Sequence, residues 1–162
     1  MDTRTELANG CYSIKYDNIL EYYNQQGEHH REDGPADIYY NKDGSIDHES
    51  YYINGQLHRV DGPAYTMYND DGSIGAESYW IKDKLHREDG PSELWYNEDG
   101  SIKKVQYWIN GMTHWEDGPA YISYNKDGSI KFRSYYLYDK RIAKTRLNDQ
   151  RFVTQLHLQY IG

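Results

Sequence analysis

A basic pair, His-Arg, recurs in this sequence, and an aspartate follows each arginine two residues later. The pairs are His30-Arg31, His58-Arg59 and His86-Arg87, and His114-Trp115 stands at the fourth position. A row of such groups could hold an anionic ligand such as a nucleotide, because guanidinium groups bind phosphate through paired, charge-assisted hydrogen bonds. The structural alternative, which we favour, is that each arginine is neutralised by its own carboxylate. These carboxylates belong to Asp33, Asp61 and Asp89.

The motifs return with a fixed period of 28 residues. Asp-Gly-Pro begins at Asp33, Asp61, Asp89 and Asp117, and Asp-Gly-Ser-Ile begins at Asp43, Asp71, Asp99 and Asp127. Two markers in phase over four copies indicate a repeat array. A residue present in every copy serves the architecture, whereas a catalytic site needs one asymmetric set of groups. The sequence has neither a nucleophile elbow nor a phosphate-binding loop, so we expect no catalytic residues and no enzyme.

The turn Asn41–Ile46 resembles the middle of a calcium-binding EF-hand loop. Such a loop also needs an oxygen ligand at its first position and a glutamate at its twelfth, and no copy has that glutamate. One histidine per repeat is too few for a compact zinc site. We therefore expect no metal and no cofactor.

Residues 36 to 63 are typical of an antiparallel meander. We predict strands at 36–41, 45–53 and 56–58, joined by the turn Asn41–Gly44 and by Asn54-Gly55. Asn-Gly is the strongest two-residue hairpin signal, since both positions need a positive φ. The predicted fold is all-β: an elongated, single, twisted antiparallel sheet built from about four stacked 28-residue units.

The ends of the chain depart from the repeat and are predicted to cap it. Residues 1–22 form an N-terminal half-unit with two strands, residues 23–142 the four-unit array, and residues 143–162 a C-terminal cap. In this cap we expect a small helix around residues 148–156 and then a strand, because Leu156, Leu158 and Tyr160 alternate with polar residues.

Positions that stay the same in every copy define the predicted core. Strand side chains alternate between the two faces of a sheet, so Ala36 and Tyr40 share a face, as do Tyr51 and Ile53. Ile46 is also repeated throughout. The equivalent residues in later copies are Ala64, Ser92 and Ala120 for Ala36, and Ile74, Ile102 and Ile130 for Ile46.

The opposite face of these strands varies from copy to copy and carries large side chains. The candidate partner-binding residues on it are Tyr39, Tyr65, Met67, Trp95 and Tyr121. Stacking of the repeats does not require residues that differ between them. A stripe of exposed aromatic and methionine side chains is typical of a surface that binds another protein.

The composition places the apolar content in aromatic residues, with 19 Tyr and 4 Trp among 162 residues. Tyrosine favours strands and can bury its ring while its hydroxyl stays hydrated, so we expect a thin, partly solvated core. The acidic net charge of −8 argues against nonspecific nucleic-acid binding, which needs a basic surface. A single cysteine, Cys11, and the lack of an apolar leader or span in the sequence predict a cytoplasmic protein without membrane insertion.

The stretch from Asn54-Gly55 through Asp61-Gly62-Pro63, with Tyr68 and Tyr79-Trp80 after it, resembles the MORN-type repeats, and most closely their variants in bacterial and viral proteins. The resemblance covers about residues 23–141, and the 28-residue period departs from the shorter common MORN unit. It implies stacked β-hairpins and a non-catalytic role in protein association, sometimes with self-association or membrane contact. MORN repeats have no fixed site motif, so no functional residue is carried over.

Three functions remain, and they differ in the surface that they use. The leading expectation is a non-enzymatic scaffold, an adaptor or inhibitor, that binds a protein partner through the variable aromatic face. The open edges of such a sheet also allow a homodimer. The first alternative is capture of a small anionic ligand by the His-Arg row. The second is glycan binding, in which tyrosine and tryptophan rings stack on sugars.

Overall fold

A computed structural model describes residues 2–160, and Met1, Ile161 and Gly162 of the predicted caps lie outside the described residues. The strands are β1 Thr3–Glu6, β2 Tyr12–Tyr16, β3 Ile19–Tyr23, β4 Asp37–Tyr40, β5 Ile46–Ser50, β6 Tyr52–Ile53, β7 Gln56–Leu57, β8 Tyr65–Tyr68, β9 Ile74–Ser78, β10 Trp80–Ile81, β11 Lys84–Leu85, β12 Glu93–Tyr96, β13 Ile102–Gln106, β14 Trp108–Ile109, β15 Met112–Thr113, β16 Tyr121–Tyr124, β17 Ile130–Leu137 and β18 Lys140–Ile142. Short 3-10 helices lie at Ala8–Gly10 and Lys144–Asn148, and the helix α1 spans Gln150–Tyr160.

The contacts within the chain divide it into two compact units after Asp83. In the first unit, β1, β2, β3, β4, β5, β8 and β9 pair in that order, each antiparallel to the next. In the second unit, β12, β13, β16, β17 and β18 do the same. Separate two-stranded hairpins pair β6 with β7 and β14 with β15. The prediction of an all-β antiparallel repeat fold with a short C-terminal helix is confirmed.

Each repeat changes its partner strand at position 51, so the predicted strand 45–53 is two strands in the structure. The N–H of Tyr51 donates to the carbonyl of Ala64 at 2.8 Å. The carbonyl of Tyr51 accepts a hydrogen bond from the N–H of His58, in the following hairpin, at 2.9 Å. One residue therefore serves two pairings, and β5 ends where it changes partner. The fourth copy has no such break, because β17 runs without interruption from Ile130 to Leu137.

The two-residue turns keep the predicted geometry even where the sequence no longer shows it. Asn54-Gly55 has φ angles of 48° and 73°, as a type I′ turn requires. Lys82-Asp83 and Tyr138-Asp139 also have positive φ at both positions, although neither pair contains asparagine or glycine. The side chain of Asp83 links its turn to the preceding hairpin, since its Oδ1 accepts the N–H of Leu57 at 2.8 Å. Loss of the Asn-Gly signal therefore does not remove the turn.

The Asp-Gly-Ser-Ile motif forms the other turn of each repeat. In the first copy, Asp43 Oδ1 accepts hydrogen bonds from the N–H and the hydroxyl of Ser45 at 3.0 and 2.7 Å. The N–H of Gly44 donates to the carbonyl of Asn41 at 3.0 Å and closes the turn. The later copies repeat the aspartate–serine contacts. The carboxylate of this motif is therefore used within the turn.

The core of the repeats lies at position 36 and not at position 46. The small residues Ala36, Ala64, Ser92 and Ala120 have no exposed surface, as predicted. The prediction that the repeated isoleucine is a core residue is wrong, since Ile74, Ile102 and Ile130 are 39%, 42% and 47% exposed. The reason is register. Position 46 begins its strand directly after the exposed turn, at the end of the strand pair farthest from position 36.

The C-terminal segment is helical as far as Tyr160, so the predicted strand is wrong for the described residues. Val153 and Leu156 are buried against Leu137 and Tyr138 of the last hairpin. A spacing of three residues places both side chains on one face of a helix. Leu158, which suggested a strand by its alternation with polar residues, is 73% exposed.

Enlarging the buried residue at position 36 of a repeat should destabilise the fold. Ala64→Val adds two carbons at a site without exposed surface, and overpacking of this kind costs about 1–3 kcal/mol. The measurement is the free energy of unfolding in urea. Val60→Ala, at a side chain 82% exposed, is the control and should change that free energy by less than about 0.5 kcal/mol. Equal effects of the two substitutions would contradict this assignment of the core.

Candidate functional site

The histidines of the His-Arg row hold the turn of the following hairpin. In each copy the imidazole Nδ1 accepts a hydrogen bond from the first backbone N–H of that turn. The pairs are His30 with Asn54 at 3.1 Å, His58 with Lys82 at 3.3 Å, His86 with Asn110 at 3.2 Å and His114 with Tyr138 at 3.3 Å. A backbone N–H can only donate, so Nδ1 is the acceptor in each of these bonds, and in the neutral ring the proton lies on Nε2.

The arginines of the row fold over a glycine and against a tyrosine ring. The guanidinium carbon of Arg59 lies 4.0 Å from the ring centroid of Tyr51. Its Nε donates to Asp61 Oδ1 at 2.9 Å, and its Nη1 donates to the carbonyl of Pro63 at 3.4 Å. A Cβ on Gly62 would come within 2.9 Å of the guanidinium carbon. The glycine of the Asp-Gly-Pro motif therefore makes room for the arginine.

Tryptophan takes the place of the arginine in the fourth copy. Trp115 stacks on Tyr107 with ring centroids 4.4 Å apart, and its ring lies against Gly118. Where arginine is present, it pairs with an aspartate two residues later. These pairs are Arg31–Asp33, Arg59–Asp61 and Arg87–Asp89, at 2.8, 2.9 and 2.8 Å. The copies with arginine and the copy with tryptophan thus share one feature, a flat side chain that lies between a tyrosine ring and a glycine.

A groove of about 490 Å³ follows this row in the first unit. Arg31, His58 and Arg59 line it, and so do the carboxylates of Asp33 and Asp61. The neighbouring arginine lowers the pKa of each of these two carboxyl groups, which therefore stay ionised. An anionic ligand would have to displace a carboxylate from its arginine and would then lie beside it. Anion capture by the six predicted residues, His30, Arg31, His58, Arg59, His86 and Arg87, stays a prediction.

In the first unit the variable face is half-buried, and its rings contact one another. Tyr39 stacks on His48 with centroids 4.2 Å apart, and His48 lies 5.7 Å from Tyr65. Met67 is the strand partner of His48. Directly opposed side chains of neighbouring strands cover one another. Tyr39, Tyr65 and Met67 are thus less exposed than the predicted stripe implied, and their role in partner binding stays a prediction.

In the second unit the same face carries exposed aromatic side chains. Trp95, Lys104, Ser123 and Phe132 are directly opposed in β12, β13, β16 and β17. Trp95 is 37% exposed and Phe132 50% exposed, whereas Tyr121 is half-buried and meets Phe132 with centroids 5.7 Å apart. The ammonium of Lys104 lies 4.7 Å from the Trp95 ring centroid. We call Trp95, Lys104, Tyr121 and Phe132 the aromatic patch.

A group of ionisable side chains in the first unit was not predicted. Glu21 on β3 and Asp37 on β4 are directly opposed, and His29 follows β3, where it forms a bridge with Tyr23. One ligand atom of each of these three side chains lies within 4.8 Å of the other two. The hydroxyls of Tyr16 and Tyr23 donate to Glu21 Oε2, and His29 Nδ1 is hydrogen-bonded to Asp37 Oδ1. We call Glu21, His29 and Asp37 the acid–histidine cluster.

Burial dominates the electrostatics of this cluster. Glu21 is 7% and Asp37 8% exposed. Burial raises the pKa of Asp37, against the lowering effect of its hydrogen bond with His29. The hydrogen bond to Glu21, together with burial, raises the pKa of Tyr16 to about 12. Burial and Glu21 also raise the pKa of Tyr23. Both hydroxyls therefore keep their protons and act as donors toward the Glu21 carboxylate.

No protein-family model matches this chain, and no curated protein is significantly similar to it. Within residues 2–160, no helix combines the length and the apolar character needed to cross a bilayer. The roles of the aromatic patch and of the acid–histidine cluster must therefore be inferred from their geometry.

A third charged group lies beside helix α1. His157 Nε2 is 2.7 Å and His114 Nε2 is 3.3 Å from Glu116 Oε1. The buried ring of His114 lies 4.1 Å from that of Tyr138, centroid to centroid. Burial lowers the pKa of His114, against the raising effect of Glu116. His114 is therefore held neutral while its Nδ1 supports the last turn.

Replacing Arg59 should separate packing from charge in the row. Arg59→Ala removes the group that covers Tyr51 and should lower the free energy of unfolding by about 1–2 kcal/mol. Arg59→Trp places a flat ring where the fourth copy has Trp115, and should cost less than half as much. The measurement is urea unfolding of both variants beside wild type. If Arg59→Trp is as costly as Arg59→Ala, the position needs the charge pairing with Asp61 and not the packing.

Acid should weaken the C-terminal hairpin through His114. Because its pKa is lower in the folded than in the unfolded chain, its stability contribution is present above the unfolded pKa of about 6.5 and is lost as the pH falls toward the folded value. Glu116 and His157 face the ring, and both remain in the variant His114→Gln. Thermal unfolding measured across this range should show a smaller loss of stability in the variant than in wild type. An unchanged pH dependence in His114→Gln would contradict the assignment.

Proposed function

We propose that this protein is a non-enzymatic repeat scaffold that binds another protein through the aromatic patch. The observation that carries the proposal is the exposure of Trp95 and Phe132 on one face of the second unit, with Lys104 between them. Aromatic side chains of this size bury a large apolar area at low entropic cost, and tryptophan and tyrosine are enriched among residues that dominate binding energy.

The patch has the dimensions of the centre of a protein interface. Its four strands are neighbours, so Trp95 and Phe132 are separated by about 14 Å at about 4.8 Å per strand. A standard interface buries about 800 Å² on each partner, with a few central residues supplying most of the affinity. The patch could supply those residues, and the more polar strand positions around it could form the rim.

The repeat does not need these side chains for its own folding. The residues equivalent to Trp95 are Tyr39, Met67 and Ser123. The backbone pairing of β12 with β13 and of β16 with β17 includes the same register irregularity as that of β4 with β5 and of β8 with β9. Since the architecture tolerates such different residues at one position, the tryptophan is available for a role outside the fold.

The resemblance of residues 23–141 to MORN-type repeats favours the same class of function. The resemblance implies a non-catalytic role in protein association. We therefore include a MORN-like character in the proposal. Anion capture by the His-Arg row and glycan stacking stay as the alternatives from the sequence.

Lys104 suggests the chemistry of the partner. The protein has a net charge of −8, so a positive charge at the centre of an apolar surface is a specific feature. A complementary partner would insert an apolar side chain between Trp95 and Phe132 and would place a carboxylate near Lys104. Opposite charges at such a site add orientation and specificity to the apolar contact.

The proposal is tested by exchanging exposed apolar residues for serine. The double variant Trp95→Ser, Phe132→Ser should lose a protein that wild type captures from a native-source lysate. With that protein purified, its affinity should fall at least about 30-fold, which is the loss expected if only one of the two residues contributes about 2 kcal/mol, a value typical of a central aromatic residue. Light scattering on wild type alone reports whether the partner is a second copy of the chain.

A matched double variant serves as the control. Val60→Ser, Leu158→Ser removes two side chains that are more exposed, at 82% and 73%, and lie outside the patch. This variant should bind like wild type, and circular dichroism should show that both variants are folded. Full binding by the patch variant, or an equal loss in the control, would contradict the proposal.

A further inference from the structure

The acid–histidine cluster combines donors that the rest of the repeat array does not bring together. Glu21 and Asp37 are strand partners, and His29 is hydrogen-bonded to Asp37. Glu21 is 7% exposed as a residue, and the side chains of Asp37 and His29 are 11% and 33% exposed. Carboxylate oxygens and an imidazole nitrogen, with ligand atoms within 4.8 Å of one another, are the donors that surround a divalent metal ion in proteins.

The cluster has a charge problem that its own hydrogen bonds do not solve. Among residues 2–160, one ion pair involves either of these carboxylates, and it joins Asp37 to His29. Glu21 receives only neutral donors, the hydroxyls of Tyr16 and Tyr23. With both carboxyl groups ionised, two carboxylates beside one imidazole carry a net negative charge, and a buried charge without compensation is costly. A divalent cation between the three side chains would neutralise it.

The repeat itself does not require this trio. The N–H of Tyr22 donates to the carbonyl of Ala36 as the N–H of Tyr51 does to Ala64, so Glu21 occupies the place of Ser50. His30 and His58 make equivalent turn contacts, and the residues before them are His29 and Leu57. Asp37 corresponds to Tyr65, which pairs with Ser50 as Asp37 pairs with Glu21. The second repeat thus builds the same backbone with serine, leucine and tyrosine.

We propose that Glu21, His29 and Asp37 bind a first-row divalent metal ion, with zinc as the ion that fits these donors best. The imidazole argues against magnesium and calcium, which prefer oxygen ligands. Three protein ligands leave a coordination position open to water or to an external group. The metal would replace the hydrogen bond between His29 Nδ1 and Asp37 Oδ1, since a metal ligand atom uses the lone pair that otherwise takes part in that bond.

The tyrosines would act as supporting groups around the metal. Both hydroxyls donate to Oε2 of Glu21, and Oε1 accepts from neither of them. Hydrogen bonds of this kind orient a metal-binding carboxylate and are part of the design of natural sites. The geometry therefore assigns Oε1 to the metal and Oε2 to Tyr16 and Tyr23.

The experiment is a metal titration of the full chain after removal of bound metal with a chelator. Isothermal titration with zinc, and then with cobalt, manganese, magnesium and calcium, should show one strong equivalent for zinc and cobalt and a much weaker response to magnesium and calcium. Bound cobalt should give an absorption spectrum of oxygen and nitrogen ligation without a thiolate band. No binding of zinc or cobalt would overturn the proposal.

Two sets of variants test the location of the ion. Glu21→Gln, His29→Gln and Asp37→Asn should each weaken zinc binding at least about tenfold, since even supporting residues of metal sites commonly contribute that much. The triple variant Glu21→Ser, His29→Leu, Asp37→Tyr copies the second repeat, so it should fold and bind no zinc at this site. Its folding is checked by circular dichroism and thermal unfolding.

The matched control is another histidine–carboxylate pair on the same face. His48 Nδ1 lies 2.6 Å from Asp47 Oδ2, His48 is not among the three residues whose ligand atoms lie within 4.8 Å of one another, and His48→Gln should leave zinc affinity unchanged. Zinc that still binds strongly to the triple variant occupies another site, such as Glu116 with its two histidines, and would overturn the proposal. Equal loss in His48→Gln and in the cluster variants would do the same.

Discussion

The hydrogen bond from a turn N–H to the histidine of the preceding repeat is the contact on which this architecture depends. A two-residue turn leaves its first N–H without a partner inside the hairpin, so that N–H is paired either by water or by a side chain from outside the hairpin. His30 supplies the partner for Asn54, and His58 supplies it for Lys82. Each hairpin is therefore completed by a neighbour, and the repeats fold as a series and not as separate units.

The side chains that differ between copies are as informative as those that are repeated. Position 36 is small in every copy and fully buried, and the Asp-Gly-Pro glycine admits a flat side chain over tyrosine. These constraints account for most of each unit. Two features are not explained by these constraints, because they are not repeated from copy to copy. They are the two exposed aromatic rings in the second unit and the two buried carboxylates beside an imidazole in the first. Both proposals therefore rest on departures from the repeat.

The repeat period predicted the strands and turns because turn chemistry and alternation are local properties. Burial was harder to predict, since Ile46 and its equivalents are repeated but follow an exposed turn, and β1 has four exposed residues without any alternation. The sequence did not distinguish a helix from a strand at the C-terminus, because Leu156 and Leu158 alternate with polar residues as they would in a strand. The packing of Leu156 against Leu137 and Tyr138, which only the structure shows, accounts for the helix. The cluster was missed because Glu21 aligns with Ser50 only once the strand pairing is known. A variable position 48, with His48, Ala76, Lys104 and Phe132, could have identified the exposed phenylalanine.

The histidine–turn bond always joins residues 24 positions apart. A segment of 28 residues could therefore be lost or duplicated between equivalent positions, and each remaining histidine would still meet a turn N–H. A deletion of another length would change the spacing of the histidine–turn pair that spans it, whereas pairs that lie wholly before or after it would keep their spacing of 24 residues. Loss or gain of whole periods thus leaves every remaining histidine–turn pair intact, and duplication gives each new copy positions on the variable face that are free to acquire a different surface.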